Sequence, residues 1–247
     1  MSILSRAKSA LRDPASALVK VLNVFYAKSA KGDKRPAFYD IDKTYPKFRI
    51  LDRGYQEIRT ELEVLLERKD ALPRYHDLLK SETYVSGTVD ADKDWKVFML
   101  HTPMGIPRWN QAKCPLTTEL INQIPNLFQA FFSILDPGKS IPAHCGPYLG
   151  YLRYHLGLIV PKINPPRMRV GAEWHTWEEG KSIMFDDSLN HEVVNHSDTV
   201  RVVLIVDVLR PMPLPLHAAN WAVSRLLFRR TTEGRKALAK IKQYTWH

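Results

Sequence analysis

The chain has 247 residues, 45% hydrophobic and 25% charged, which is the balance of one folded domain with a sizeable core. Two cysteines are too few for a disulfide framework, and no apolar run reaches the roughly 18 residues that a membrane span needs. The first residues contain no signal-peptide core, so we expect a cytoplasmic protein.

The net charge of +10 is concentrated at the two ends of the chain. Residues 1–35 carry eight Lys or Arg against two Asp, and residues 221–247 carry seven against one Glu. Basic ends of this kind bind phosphate, in nucleic acid or on an anionic lipid surface. Because no helix-turn-helix, zinc or RNP motif is present, we expect no nucleic-acid partner and favour peripheral contact with the inner membrane. A solvated tail, or a helix docked on the domain, is the alternative.

Helical spacing is typical of the first part of the chain. Residues 3–30 place apolar residues three or four apart with Lys and Arg between them, which predicts one or two amphipathic helices, with Asp13-Pro14 as a helix start. Residues 31–47 are polar and contain proline, so they are predicted to be a linker or loop. Further helices are predicted over 53–72 and 116–124.

From about residue 95 the pattern changes to short β-rich runs separated by turn residues. The predicted strands are 95–100, 128–135, 151–160, 167–170, 181–185, 191–195 and 200–209. Their spacing is typical of a β-sandwich or jelly roll. Helix returns over 214–247, with Gly234 as a predicted interruption. We therefore divide the chain into a basic amphipathic segment (1–35), a mainly β domain with flanking helices (36–213) and a basic helical segment (214–247).

Two of the nine histidines, His144 and His191, stand where a turn enters a predicted strand. Histidines at the rims of two strands of one sandwich can converge on a single metal ion. Imidazole suits iron, copper, zinc and nickel alike, so the ligand type does not name the metal. A hydrogen-bonded core histidine is the alternative interpretation of His191.

Arg201 opens an apolar strand, where a buried guanidinium would be costly without an anion. A carboxylate matches its planar fork. Arg153 and His155 are two residues apart and face the same side of another strand, so a dicarboxylate ligand is indicated. Alternatively, the two arginines form ion pairs with acidic residues of the chain itself, at Asp186, Asp187 or Asp207.

Taken in order over residues 95–211, these motifs resemble those of the aspartyl/asparaginyl β-hydroxylase family. They are His144-x-Gly146-Pro147, Arg153-x-His155, Arg169-Val-Gly171, Trp177-x-x-Gly180-Lys181, Phe185-Asp-Asp-Ser188-x-x-His191, Asn195, Arg201 and Asp207-Val-x-Arg210-Pro211. The resemblance implies a double-stranded β-helix, a cupin-like jelly roll. It also implies a dioxygenase that uses Fe(II), 2-oxoglutarate and O₂ to hydroxylate a C–H bond.

The resemblance also assigns roles to individual residues. His144 and His191 match the iron ligands, and Arg201 with Ser133 matches the residues that hold the distal carboxylate of 2-oxoglutarate. Arg153 and His155 match residues near the other end of that cosubstrate, and Trp95 is expected beside the pocket.

The resemblance departs from the wider oxygenase class at one position. That class has a carboxylate two residues after the first histidine. Here, as in the family, that position is Gly146, so iron would have two protein ligands and water. Asp186 and Asp187 are candidate substitutes for the missing carboxylate, but we expect capping and turn roles for both.

The resemblance leaves the substrate open. Bacterial relatives of this family hydroxylate acyl chains of lipid A and of ornithine lipids, and the basic ends favour such a membrane lipid. A β-hydroxylase of aspartyl or asparaginyl residues, or of a small amino-acid-derived substrate, is the alternative. From another class, a non-catalytic β-sandwich binding module with basic ends also fits. The sequence does not indicate an oligomeric state.

Overall fold

The computed structural model describes residues 14–80, 83–228 and 232–243. The predicted helix cap Asp13, the preceding residues and the Arg229-Arg230 pair lie outside this range. Within it the strands are β1 (Trp95–His101), β2 (Leu127–Leu135), β3 (Ile141–His144), β4 (Tyr151–Ile159), β5 (Arg167–Val170), β6 (Glu173–Thr176), β7 (Ser182–Phe185), β8 (His191–Val194) and β9 (Arg201–Leu209).

The described helices surround these strands. They are α1 (Pro14–Ser29), α2 (Ile41–Thr44), α3 (Arg49–Arg53), α4 (Tyr55–Leu66), α5 (Tyr75–Leu78), α6 (Thr83–Gly87), α7 (Arg108–Lys113), α8 (Pro115–Asn122), α9 (Leu214–Ala222) and α10 (Thr232–Gln243). A π-helical turn, Val223–Leu227, continues α9. Within the described residues, no helix combines the length and apolar character that crossing a membrane requires.

The strands form two antiparallel sheets. The larger sheet has the order β1-β2-β9-β4-β7, and the smaller has the order β3-β8-β5-β6. From β2 onward the chain passes back and forth between the sheets, with β5 and β6 as a hairpin in the smaller one. This winding is a double-stranded β-helix, so the predicted fold is confirmed.

The central strands of the larger sheet are buried along their whole length, as β2 and β9 show. Alternate side chains face opposite sides of a sheet, and both sides are covered here. Phe131 and Val203 pack inward in the cluster between the sheets. Phe132 and Leu204 pack outward in the cluster that contains Leu62 of α4. Burial of each such side chain stabilises the fold by roughly 1.5–3 kcal/mol. The helices cover the outer face of the larger sheet, so the site lies on its inner face, between the two sheets.

Residues 31–47 are not a linker, and that prediction was wrong. The segment contains two short helical turns and α2, whose N-cap Asp40 accepts a hydrogen bond from the Lys43 backbone N–H. Ile41 and Tyr45 are buried on the outer face of the larger sheet, in the cluster that contains Leu62. The packing of this segment could not be predicted from its composition, because its apolar residues are interspersed with lysines and prolines.

Helix α1 and the segment formed by α9 and its π-helical turn pack against one group of side chains, which we call the terminal cluster. Its buried members are Tyr26, Phe128, Tyr148, Tyr151, Leu209 and Val223. Helix α1 confirms the predicted N-terminal helix over residues 14–29. The predicted interruption at Gly234 was wrong, since this residue lies within α10.

Candidate active site

The two predicted metal-ligating histidines lie side by side in the smaller sheet. His144 ends β3 and His191 begins β8, and the antiparallel register pairs them directly. Their ring centroids are 4.1 Å apart. Neighbouring strands therefore bring together two residues that are 47 positions apart in the sequence.

Both imidazoles are oriented by the backbone. Nδ1 of His144 lies 2.8 Å from the Pro142 carbonyl oxygen, and Nδ1 of His191 lies 2.9 Å from that of Leu189. A carbonyl only accepts hydrogen bonds, so each Nδ1 carries the proton and each Nε2 keeps its lone pair. Burial lowers the pKa of His144 to about 4, which keeps the ring neutral at physiological pH. Two imidazoles whose Nδ1 atoms are held by backbone carbonyls leave both Nε2 atoms available to a divalent metal ion.

Asp187 lies beside this histidine pair. Its Oδ1 is 3.4 Å from His191 Nε2 and accepts a 2.5 Å hydrogen bond from Arg153 Nη1, and the Tyr151 hydroxyl donates to its other oxygen. Burial would raise the pKa of Asp187, but the charge of Arg153 lowers it below its usual value. The group is therefore a carboxylate aimed at the histidines.

The expected capping and turn role holds for only one of the two neighbouring acidic residues. Asp186 accepts hydrogen bonds from the backbone N–H and the hydroxyl of Ser188, as a turn residue does. For Asp187 the expectation was wrong, because its side chain points to the site.

Gly146 explains how the Asp187 carboxylate reaches this position. A Cβ atom built on residue 146 would lie 1.9 Å from Asp187 Oδ2. The carboxylate therefore occupies the space that a side chain two residues after His144 would fill. No group of three metal-ligating side chains is found among the described residues, so the histidine pair is the candidate metal site and Asp187 is its neighbour.

Arg201 is a buried cation at the start of β9. Its residue is 1% exposed, and its Nε atom has no hydrogen-bond partner. No carboxylate within the described part of the chain forms an ion pair with it. Its closest polar contact is the Ser133 hydroxyl, 3.5 Å from Nη1, and its guanidinium lies 4.3 Å from the centre of the Trp177 ring. Burial lowers the pKa of Arg201 to about 9, so at neutral pH it is a desolvated positive charge.

Other polar side-chain atoms in the same region have no hydrogen-bond partners. Both ring nitrogens of buried His155 and the indole Nε1 of Trp177 lack hydrogen bonds, and the two rings stack with centroids 5.9 Å apart. Trp95 donates a 2.9 Å hydrogen bond to the Ser133 hydroxyl, next to Arg201. This donor-rich region on the inner face of the larger sheet fits a carboxylate ligand.

Arg153 differs from Arg201 in its partners. Its Nε and Nη2 donate to the two oxygens of Asp207 at 2.8 and 2.9 Å, and its Nη1 donates to Asp187. The internal ion pairs that the sequence left open are thus formed by Arg153 and not by Arg201. Arg153 links Asp207 to Asp187, and its predicted role at the far end of the cosubstrate stays a prediction.

Nothing in the sequence indicated a site role for Tyr151. Trp177 was named only as part of a family motif, and Asp187 only as a candidate substitute ligand. The available signal for Asp187 was Gly146, since a glycine in place of a ligand leaves room for another side chain.

Comparison of the sequence with known proteins finds relatives that are named as hydroxylases. Residues 52–211 match the family described as Aspartyl/Asparaginyl beta-hydroxylase. An ornithine lipid ester-linked acyl 2-hydroxylase of Rhizobium tropici is 42% identical over 207 residues, which cover 83% of this chain and 70% of that protein. Human aspartyl/asparaginyl beta-hydroxylase is 34% identical over 187 residues, which cover 70% of this chain.

The matched region spans only 24% of the human protein, which is much longer than this chain. Among solved structures, a Cupin_2 domain of an XRE family transcriptional regulator from Enterobacter cloacae is similar to this chain with a TM-score of 0.33 and 15% identity. The match covers 47% of this chain and 98% of that one.

Proposed function

The chain belongs to the aspartyl/asparaginyl β-hydroxylase family, and on that basis we propose that it uses Fe(II), 2-oxoglutarate and O₂ to hydroxylate an acyl chain of a membrane lipid. One observation carries the proposal. Arg201 is a buried cation without a carboxylate partner among the described residues, and it lies in the same β-helix as two adjacent histidines whose Nδ1 atoms are held by backbone carbonyls.

His144 and His191 would hold the iron through their Nε2 atoms. Iron(II) at this site supplies the redox chemistry that activates O₂ and breaks a C–H bond. The Pro142 and Leu189 carbonyls keep both Nδ1 protons in place, so neither ring turns away from the metal. Asp187 is held as a carboxylate by Arg153 and would accept a hydrogen bond from a group bound at the metal.

Arg201 and Ser133 would bind the distal carboxylate of 2-oxoglutarate. The guanidinium offers Nε and its Nη atoms in a planar fork, and the Ser133 hydroxyl adds a donor beside it. The Trp177 ring packs against the guanidinium of Arg201 and excludes water from it. Charge-assisted hydrogen bonds in such a buried site contribute about 1.5–3 kcal/mol each.

The overall reaction balances with one O₂ for each turnover. The C–H bond becomes C–OH with one oxygen atom of O₂. The second oxygen atom enters the carboxylate of succinate as 2-oxoglutarate loses its first carbon as CO₂. The protein contributes the position of the cosubstrate and a dry inner face between two sheets.

A lipid acyl chain is the substrate class that two observations support. The relative that matches 83% of this chain is named for an acyl 2-hydroxylase activity. In the structure, Tyr151 connects Asp187 to the aromatic terminal cluster, so buried apolar side chains lie next to the histidine pair. Hydroxylation of aspartyl or asparaginyl residues is the second candidate, favoured by the human relative.

The test is succinate release from 2-oxoglutarate with Fe(II) and ascorbate, with either a detergent-dispersed bacterial lipid extract or an aspartate-containing peptide. We expect stimulation by lipid, and loss of turnover in His191→Ala and Arg201→Ala. Arg59→Gln is the matched control, because Arg59 pairs with Glu63 and Glu179 on the outer side of the fold. Stimulation by the peptide and not by lipid would favour the second candidate, hydroxylation of aspartyl or asparaginyl residues. No turnover and no bound iron would leave a binding module.

A further inference from the structure

Helix α1 is apolar on two opposite faces. One face packs into the terminal cluster through buried Tyr26, with Val19 and Leu22 partly buried beside it. The other face is exposed, at 44% for Leu18, 55% for Val21, 69% for Val24 and 54% for Phe25. Four large apolar side chains exposed together on one helix mark an interaction surface, so this face is expected to have a partner.

Exposed lysines accompany this face. Asp33 is the one acidic residue between positions 14 and 39. The exposed lysines of this region form no ion pair with any residue that the structure describes, and they are Lys20, Lys28, Lys31 and Lys34. The surface therefore combines aliphatic side chains with a basic margin.

Helices α1 and α9 both bind the loop that follows the metal-ligating His144. We call residues 145–150 the site loop. Asn23 of α1 donates to the Pro147 carbonyl at 2.8 Å and accepts from the Leu149 backbone N–H at 3.0 Å. Asn220 of α9 donates to the Gly150 carbonyl at 2.6 Å.

The segment that follows Asn220 also exposes apolar side chains, Trp221 at 49% and Leu226 at 55%. A partner that binds the exposed sides of α1 and α9 would therefore contact two helices that are hydrogen-bonded to the site loop, next to the histidine pair.

We propose that the outer face of α1 docks on an anionic lipid bilayer and holds the site loop at the membrane surface. The inference deepens the proposed function and rests on it, because a lipid substrate must reach the site from a bilayer. Aliphatic side chains with a lysine margin match an acyl boundary beneath anionic headgroups. A second copy of the chain would bring two lysine-rich surfaces together, and nucleic acid offers no apolar surface to Val21 and Val24.

The experiment is co-sedimentation of the full chain with vesicles. One set is phosphatidylcholine with about one third phosphatidylglycerol, and the other is phosphatidylcholine alone. The test variant is Val21→Gln/Val24→Gln, and the control is Val64→Gln, which replaces a similarly exposed valine (60%) on the outer helix α4. Thermal unfolding, sedimentation equilibrium and succinate release with detergent-dispersed lipid are measured on the same variants.

We expect the wild type and Val64→Gln to bind the anionic vesicles, with binding that weakens as salt is added. The double variant should bind about tenfold more weakly while its melting temperature and its turnover on detergent-dispersed lipid stay unchanged. Equal binding of the double variant and the wild type would overturn the proposal, as would no preference for anionic vesicles.

Two further outcomes would identify a different partner for the exposed face of α1. A clear fall in melting temperature of the double variant would show that another part of the chain covers this face, and dissociation of a dimer would show that a second copy does. Normal turnover on detergent-dispersed lipid without vesicle binding would overturn the docking surface alone. Loss of that turnover in the wild type would instead contradict the proposed function.

Discussion

Replacing Arg201 by methionine should stabilise the protein in the absence of 2-oxoglutarate. Burial lowers the pKa of Arg201 from 12.5 to about 9, which corresponds to about 5 kcal/mol of penalty on the charged form. Contacts with the Trp177 ring and the Ser133 hydroxyl offset part of this cost. We therefore expect Arg201→Met to raise the free energy of unfolding by about 1–3 kcal/mol, because an apolar side chain of similar length carries no desolvated charge.

The assay is urea unfolding followed by far-ultraviolet circular dichroism, with and without 2-oxoglutarate under anaerobic Fe(II). Ligand at about 100 times its Kd should stabilise the wild type by about 2.7 kcal/mol and leave Arg201→Met unchanged. Arg153→Met is the matched control. It breaks ion pairs with Asp187 and Asp207, so it should destabilise by about 3–5 kcal/mol.

The reasoning would be refuted if Arg201→Met were destabilised as much as the Arg153→Met control without ligand. That result would mean that the guanidinium of Arg201 is already compensated within the chain. An equal gain in stability from 2-oxoglutarate in Arg201→Met and the wild type would also remove the proposed carboxylate site.

Three further predictions concern other parts of the site. Ser133→Ala should raise the KM for 2-oxoglutarate several-fold with a smaller change in kcat, since its hydroxyl adds one hydrogen bond to the carboxylate; steady-state kinetics measures both. In the metal-free protein, burial holds the pKa of His144 at about 4, so the unfolded chain binds the proton first and about 1–3 kcal/mol of stability should be lost between pH 6.5 and 4. His144→Gln should lose less in urea titrations over that range. Gly146→Ala should displace the Asp187 carboxylate and lower iron-dependent turnover at least tenfold, whereas Gly87→Ala, whose Cβ meets its nearest atom at 3.6 Å, should not.

The fold was predictable from the sequence where the strands are long. Strands β2, β4 and β9 have nine residues each, and their apolar runs are bounded by turn residues, so their limits were predicted within one residue. Strands β5, β7 and β8 were also predicted, although they have only four residues each. Strands β3 and β6 were missed because β3 contains a proline and β6 is Glu-Trp-His-Thr without a buried apolar run. The pairing of His144 with His191 depends on the register of β3 with β8, which no local pattern reveals.

The candidate site was predictable where a motif carries it. His144, His191 and Arg201 stand in an ordered set of motifs, and the structure brings the two histidines together and buries the arginine. Asp187 was assigned a turn role because its neighbour Asp186 has that role. The Asp187 side chain points to the site because Gly146, 41 residues earlier in the chain, has no side chain and leaves room for it. This proximity exists only in the folded structure.

Incubation under ¹⁸O₂ with Fe(II), 2-oxoglutarate and a detergent-dispersed bacterial lipid extract tests the central claim most directly. Mass spectrometry of the lipid and of succinate follows the two oxygen atoms. We predict one labelled oxygen in a hydroxylated acyl chain and one in succinate, in equal amounts, and neither product in Arg201→Ala. Lipid hydroxylation without labelled succinate, or labelled succinate unaffected by Arg201→Ala, would contradict the account.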